Sequence, residues 1–159
     1  MKKRVFQYNR SDFKPLPVKL EHMDITLNFL DGKVAGTNTL RITALTPLEA
    51  VRLDARELQI LSVEWMGDRV RPLRYDYQEK NASLIVKLPR RVKRGTTFSI
   101  RSRTVCVPSD NILEGIYKDT TPDGCPQQYI SQCEQWGFQR IVPVVDDCTA
   151  KCTMVTTLE

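Results

Sequence analysis

Apolar and polar side chains alternate with a period of two along most of this chain, and that pattern restricts the chain to a β fold. In residues 23–29 the letters MDITLNF place every apolar side chain on one face of an extended strand. A second alternating segment, residues 34–44, follows the turn sequence Asp31-Gly32-Lys33, so the two segments predict a β-hairpin. No window of helical length carries an apolar stripe with the i, i+3, i+4 spacing of a helix.

The same reasoning predicts further short strands, with turn signals about every ten residues, a spacing typical of β-sandwiches and barrels. The predicted strands are residues 51–53, 58–65, 70–77, 83–88, 96–107 and 153–158. Residues 108–127 are rich in Pro, Asp, Asn and Gly, which predicts mostly loop. We therefore expect an all-β fold, an antiparallel twisted β-sandwich or open barrel. Residues 17–159 are expected to form one domain after an N-terminal extension, residues 1–16.

Composition narrows the possible partners. The chain has 159 residues, 41% of them hydrophobic, which is enough for one core, and a net charge of +5. Its densest basic run, residues 90–94, lies between Pro89 and Gly95 and is predicted to be a solvated loop between strands. Since no aromatic platform or amphipathic helix accompanies the run, neither nucleic acid nor a membrane is the expected partner. The absence of a signal-like or membrane-spanning apolar segment predicts a cytoplasmic location.

The cysteines and the single histidine limit the chemistry that this chain can perform alone. An odd number of cysteines argues against a disulfide framework, and the four at positions 125, 133, 148 and 152 lack the tight spacing of a structural zinc site. We therefore predict ordinary thiols and no metal site. With His22 as the only imidazole, the chain cannot contain the zinc motif His-Glu-x-x-His. It also lacks a Gly-rich phosphate loop and a Gly-x-Ser-x-Gly elbow, so no catalytic residue is predicted.

The most specific motifs lie near the C-terminus. The first is Leu-Glu-Gly-Ile-Tyr at residues 113–117, and the second is the block QYISQCEQWGFQRIVPVVDDCTAKCTMVTTLE at residues 128–159. Together they resemble the end of the N-terminal domain of the aminopeptidase N family of zinc metallopeptidases. That family has Leu-Glu-Gly-Leu-Tyr, then Thr-Gln-x-Glu, then Gly-Phe/Ala-Arg and Asp-x-Pro. Weaker matches at residues 22–29, 34–37 and 51–58 occur in the family's order, so the resemblance extends from Pro17 to the end of the chain.

The resemblance implies roles for individual residues. Gln132 and Glu134 fall on the Gln and Glu of Thr-Gln-x-Glu, which reach into the family's catalytic cleft. There the Glu helps to bind the free α-amine of the substrate, which implies that Glu134 is a substrate-binding residue and that Gln132 lines the same wall. Being two apart on a predicted strand, both side chains are expected on the same face. Asp146 and Asp147 fall on Asp-x-Pro, with Cys148 in place of the proline, and are predicted to cap or form a turn.

These correspondences imply a non-catalytic N-terminal domain of a zinc-dependent aminopeptidase, truncated before its catalytic domain. The partners would be that catalytic domain and the N-terminus of a peptide substrate. No cofactor is expected in this chain, and zinc is expected in the catalytic domain of the parent enzyme. The alternative is a stand-alone β-sandwich module whose basic surface binds an acidic protein partner.

Overall fold

The predicted alternating segments form β-strands in this computed structural model, which describes residues 14–110 and 112–159. Most of the expected N-terminal extension, residues 1–13, lies outside that range. The strands are β1 (Val18–Leu30), β2 (Lys33–Ala44), β3 (Leu48–Asp54), β4 (Gln59–Met66), β5 (Arg71–Pro72), β6 (Tyr75–Gln78), β7 (Ser83–Val92), β8 (Thr97–Cys106), β9 (Gly115–Asp119), β10 (Gln128–Gln132) and β11 (Thr153–Leu158). Glu79–Asn81 and Phe138–Arg140 are single turns of 3-10 helix. Within the described ranges, neither helix has the length or apolar character to cross a bilayer.

The larger sheet has six strands in the order β11-β1-β2-β8-β4-β5. Its centre is the predicted hairpin: β1 and β2 pair antiparallel, with Met23 opposite Leu40, and Gly32 takes the left-handed conformation (φ 68°) that the turn needs. β11 at one edge is parallel to β1, so that Met154 lies opposite Met23. Parallel strands cannot be joined by a tight hairpin, and here the connection between β1 and β11 is made by all the intervening strands of the chain.

A three-stranded sheet, β3-β7-β6, supplies the second layer, and β9 and β10 form a separate two-stranded ribbon. Buried side chains of both larger sheets belong to one apolar core, including Leu40 and Ile42 of β2, Leu53 of β3, and Leu84 and Val86 of β7. The prediction of an all-β sandwich is therefore confirmed.

The prediction of a single strand over residues 70–77 is wrong, because this segment forms two strands that belong to different layers. β5 pairs with β4 in the larger sheet, whereas β6 pairs with β7 in the smaller one. The chain crosses over at Leu73, which is buried and donates its backbone N–H to Val63, 2.8 Å away. In the three-stranded sheet, the backbone N–H of Lys87 in β7 donates to the backbone oxygen of Arg74.

The segment 108–127 is mostly loop, as predicted, but it contains β9, which forms because its partner β10 lies downstream and supplies the hydrogen-bonding edge. The second loop prediction needs correction. The basic run 90–94 is only partly loop, since β7 continues through Val92 before the chain turns at Gly95. In both cases a pairing between distant segments extends regular structure into residues with weak strand preference.

Candidate functional site

The β9–β10 ribbon and the turn that follows it carry the two residues expected to bind substrate. Gln132 is the last residue of β10 and lies opposite Gly115 of β9. Glu134 lies beyond the strand end, so the expectation that both side chains share one face of a strand is wrong. The structure brings the two residues together differently: the side-chain amide of Gln132 donates to the backbone oxygen of Glu134 at 3.3 Å.

Two glycines let this turn pack directly against β9. A Cβ atom on Gly137 would lie 2.2 Å from the backbone oxygen of Gln132 and 2.9 Å from the backbone nitrogen of Gly115. Gly115 itself has φ +72°, and a Cβ there would lie 2.7 Å from the Cβ of Arg140. Because most of these contacts are backbone atoms that cannot move aside, only glycine fits at position 137. The turn is therefore held at a fixed position on the ribbon.

Arg140 fixes the turn from the other side. Its side chain, only 12% exposed, donates from Nε to the Glu114 carboxylate at 2.9 Å and from a terminal nitrogen to the Glu57 carboxylate. Glu114 precedes β9, and Glu57 lies in the loop between β3 and β4, 83 residues away from Arg140. Charge-assisted hydrogen bonds of this kind are directional, so they align three segments of the chain around the turn. Sequence reasoning missed Glu57, since nothing in its neighbourhood marks it as a partner of Arg140.

Glu134 differs from these two glutamates in its surroundings. In the part of the chain that the structure describes, its exposed carboxylate makes neither an ion pair nor a side-chain hydrogen bond. The guanidinium of Arg140, which packs on the turn, is already engaged by Glu57 and Glu114. The turn therefore presents a carboxylate without a partner among the described residues, on the residue whose backbone oxygen binds the Gln132 amide. Such a carboxylate can accept hydrogen bonds from a cationic ligand.

The adjacent aspartates have structural uses, as predicted. One Asp146 carboxylate oxygen accepts from the backbone N–H of Gln139 at 3.2 Å, at the helical turn that follows Gly137. Asp147 closes a local turn by accepting from the backbone N–H of Thr149 at 2.8 Å. Asp54 accepts from the backbone N–H of Asp146 at 3.0 Å, and burial raises the pKa of both Asp54 and Asp146 above the ordinary value. These hydrogen bonds attach the segment after the candidate site to β3.

The cysteines are free thiols, and Cys106 is the buried one. Across residues 14–110 and 112–159, no three His, Cys, Asp or Glu side chains are grouped so that they could hold a metal ion.

Large apolar side chains lie exposed around the turn. Trp136 is 61% exposed within the turn itself, and Leu113 is 65% exposed just before β9. Tyr129 and Ile130 of β10 are also exposed. Apolar groups of this size concentrated around one polar feature are typical of a surface that another protein unit covers.

Comparison with known proteins identifies related sequences. The sequence model described as "Peptidase M1 N-terminal domain" matches residues 8–159. Leukotriene A-4 hydrolase of Xenopus laevis is 25% identical over 138 residues, which are 86% of this chain and 23% of that protein. The chain thus spans about a quarter of the length of this relative.

Solved structures show the same fold. The M1 zinc metallopeptidase from Deinococcus radiodurans superposes with a TM-score of 0.70 at 19% identity, over 89% of this chain and 32% of that one. A mutant of it bound to a Tyr-Ser-Ala substrate gives 0.71 at 20% identity, with the same coverage. A two-domain M1 zinc metallopeptidase mutant bound to L-tryptophan gives 0.70 at 20% identity. The match of the family model over nearly the whole chain shows that this protein belongs to the peptidase M1 N-terminal domain family.

Proposed function

We propose that this chain is the non-catalytic N-terminal domain of a zinc-dependent aminopeptidase and that it supplies part of the site that binds the substrate's N-terminus. The observation that carries the proposal is the Glu134 carboxylate, exposed and without a partner in the described residues, on a turn that Gly137 and Arg140 hold in place. A carboxylate fixed in this way is suited to receive the α-ammonium group of a peptide.

The chemistry of an exopeptidase explains why such a group is needed. An enzyme that removes N-terminal residues must measure from the free amine, and anchoring that amine places the scissile bond at a defined distance. A charge-assisted hydrogen bond from the ammonium to Glu134 provides the anchor. Gln132 lies beside it and offers an amide oxygen as a second acceptor, while its nitrogen donates to the backbone of Glu134.

The remainder of the site would come from the catalytic domain of the same protein. This chain matches 32% of the length of the solved relatives and 23% of leukotriene A-4 hydrolase, so most of each relative lies outside the matched part. Exposed Trp136 in the turn and Leu113 just before β9 mark the place where a second domain would pack. Covering these side chains would also exclude water from Glu134, which strengthens its interaction with an ammonium group.

Zinc, in this proposal, belongs to the catalytic domain. The donors of this chain do not fit a catalytic zinc site, since His22 is its only histidine and the described residues contain no cluster of three potential ligands. The contribution of this domain is therefore confined to binding and orienting the substrate.

The test is the substitution Glu134→Gln in the full-length protein, with steady-state kinetics on peptides that have free or acetylated N-termini. Losing one charged hydrogen bond costs about 1.5–3 kcal/mol, so kcat/KM for free-amine peptides is expected to fall by about 10- to 150-fold. Glu49→Gln is the matched control, because Glu49 is exposed and has no ion pair among the described residues. If Glu134→Gln and Glu49→Gln have the same small effect, Glu134 is an ordinary surface carboxylate.

The second candidate function is a stand-alone binding module for an acidic partner. It is favoured by Arg69, Arg71 and Arg90, which line one cleft and form no ion pair with another described residue. The full-length protein distinguishes the two functions: an aminopeptidase loses activity on Glu134→Gln, whereas a binding module has no peptidase activity to lose.

A further inference from the structure

A cleft at the β5 edge of the six-stranded sheet is lined by three arginines and a tryptophan, whose side chains are hydrogen-bond donors. It has a volume of about 330 Å³ and lies between the β4–β5 turn and the end of β7. Its lining residues are Trp65, Gly67, Asp68, Arg69, Arg71, Pro89 and Arg90. The β9–β10 ribbon, by contrast, contacts β1, and β1 lies next to β11 at the opposite edge of the same sheet. The cleft is thus separate from the turn that carries Glu134.

The three arginines of the cleft are not neutralised by any carboxylate that the structure describes. Within residues 14–110 and 112–159, Arg69, Arg71 and Arg90 form no ion pair, and the one carboxylate in the lining, that of Asp68, pairs with none of them. The chain does neutralise arginines elsewhere: two arginines of β8 share the carboxylate of Glu64, at 2.8 and 3.3 Å. Three guanidinium groups around one small volume repel one another, and a bound anion would relieve that repulsion.

The framework of the cleft is well fixed. Trp65 and Arg71 are opposite each other in the β4–β5 pairing, so their positions are set by backbone hydrogen bonds. The indole ring of Trp65 stacks on Phe98, with ring centroids 5.2 Å apart and planes 10° apart. Arg90 comes from β7 of the other sheet, which means that both layers of the sandwich build the cleft.

Trp65 adds a fourth donor. A Cβ atom on Gly67 would lie 2.8 Å from the indole nitrogen, so the glycine allows the chain to turn closely around it. That nitrogen has no acceptor among the described residues. An indole N–H can only donate, and a guanidinium can only donate, so the lining calls for a ligand rich in acceptors.

We propose that this cleft is a binding site for a phosphoryl dianion, either free phosphate or the phosphate group of a small organic ester. The fork of N–H groups on arginine matches the oxygens of phosphate and forms paired, charge-assisted hydrogen bonds with them. Three positive guanidinium groups and the one negative Asp68 carboxylate leave the lining with a net charge of +2, which a dianion balances and a single carboxylate would not. The volume is at the lower end of the range for small-molecule sites, about 300–1,000 Å³, which suits a small phosphate compound.

Tryptophan fluorescence measures the binding directly. The chain has two tryptophans, Trp65 in the cleft and Trp136 in the distant turn, so a Trp136→Phe variant reports on the cleft alone. This variant is titrated with inorganic phosphate and, separately, with phenyl phosphate, at constant ionic strength set by chloride. We expect a saturable change of fluorescence. Tighter binding of phenyl phosphate identifies an organic ester as the preferred source, and equal or tighter binding of phosphate identifies the free ion.

A matched pair of charge variants tests which residues bind. In the Trp136→Phe background, the combined change Arg69→Gln, Arg71→Gln and Arg90→Gln is expected to weaken binding by about tenfold or more. The control makes three lysine-to-glutamine changes, at exposed lysines that line no part of the cleft and form no ion pair among the described residues. These are Lys33, Lys80 and Lys151.

The control removes the same net charge and is expected to change the affinity less than twofold. Circular dichroism and thermal melting check that both triple variants are folded. Either of two results would overturn the proposal: no saturable response to either ligand, or equal losses of affinity in the two triple variants.

Discussion

Asn38 is expected to be the polar residue on which the stability of the sandwich depends most. It lies in the middle of β2 and is fully buried, and its side-chain nitrogen donates to the backbone oxygen of Pro143 at 2.9 Å. Pro143 is buried as well and lies between Val142 and Val144, which are both in the core. The hydrogen bond thus joins the central hairpin to the segment that follows the candidate site.

The contacts of Asn38 determine how much stability Asn38→Ala is expected to lose. The substitution leaves the buried carbonyl of Pro143 without a donor, which costs about 1–3 kcal/mol, and it also leaves a small cavity. The change also removes the side-chain oxygen of Asn38, which is buried and has no hydrogen-bond partner in the described residues. Because that buried oxygen is itself unfavourable, its removal partly offsets the loss of stability. The net loss is expected to be about 2 kcal/mol, which lowers the melting temperature of a domain of this size by about 4–8 °C.

Urea denaturation at pH 7 measures this loss, with Asn28→Ala as the control. Asn28 lies on β1, is partly exposed, and makes one long side-chain hydrogen bond of 3.5 Å to Glu159. Asn28→Ala is therefore expected to lower the free energy of unfolding by well below 1 kcal/mol. Asn38→Asp adds a pH test. The new carboxylate would face the carbonyl oxygen of Pro143, and only its protonated form could donate a hydrogen bond to that oxygen. The difference in free energy of unfolding between Asn38→Asp and Asn38→Ala should therefore shrink as the pH falls. Equal losses for Asn38→Ala and Asn28→Ala would refute this reasoning.

Two further predictions follow from buried titratable groups. Burial raises the pKa of Asp54, so its contribution to stability is present below the ordinary value of 3.8 and is lost as pH rises through the raised pKa. Asp54→Asn keeps an acceptor for the Asp146 N–H and should therefore be more stable than the native protein at pH 7 in urea denaturation, with the difference disappearing in acid; a difference that grows in acid would contradict this. Burial also raises the pKa of the Cys106 thiol to about 11, so in the native protein at pH 8 iodoacetamide should modify the exposed Cys125 and Cys148 while sparing Cys106. Mass spectrometry of the labelled peptides checks this, and equal rates for all three thiols would show that Cys106 is accessible.

The amino-acid sequence by itself determined the features that depend on neighbouring residues. The β1–β2 hairpin follows from alternation on either side of a turn with Gly32, because period, turn chemistry and pairing all act within a short stretch. The use of Asp147 in a turn was predictable for the same reason, since its acceptor reaches Thr149 only two residues away. The motif around Gln132 and Glu134 likewise indicates the family from the sequence alone.

Only the tertiary structure decided which distant segments meet. No local pattern indicates that β11 pairs in parallel with β1, or that Glu57 neutralises Arg140, because these contacts join residues more than 80 positions apart. The same holds for the cleft, where Arg90 from one sheet joins Arg69 and Arg71 from the edge of the other. The sequence predicts Arg90 in a solvated loop and gives no indication that Arg69 and Arg71 lie near it. The packing of the two layers brings the three residues to one small volume, where none of them has an ion-pair partner among the described residues.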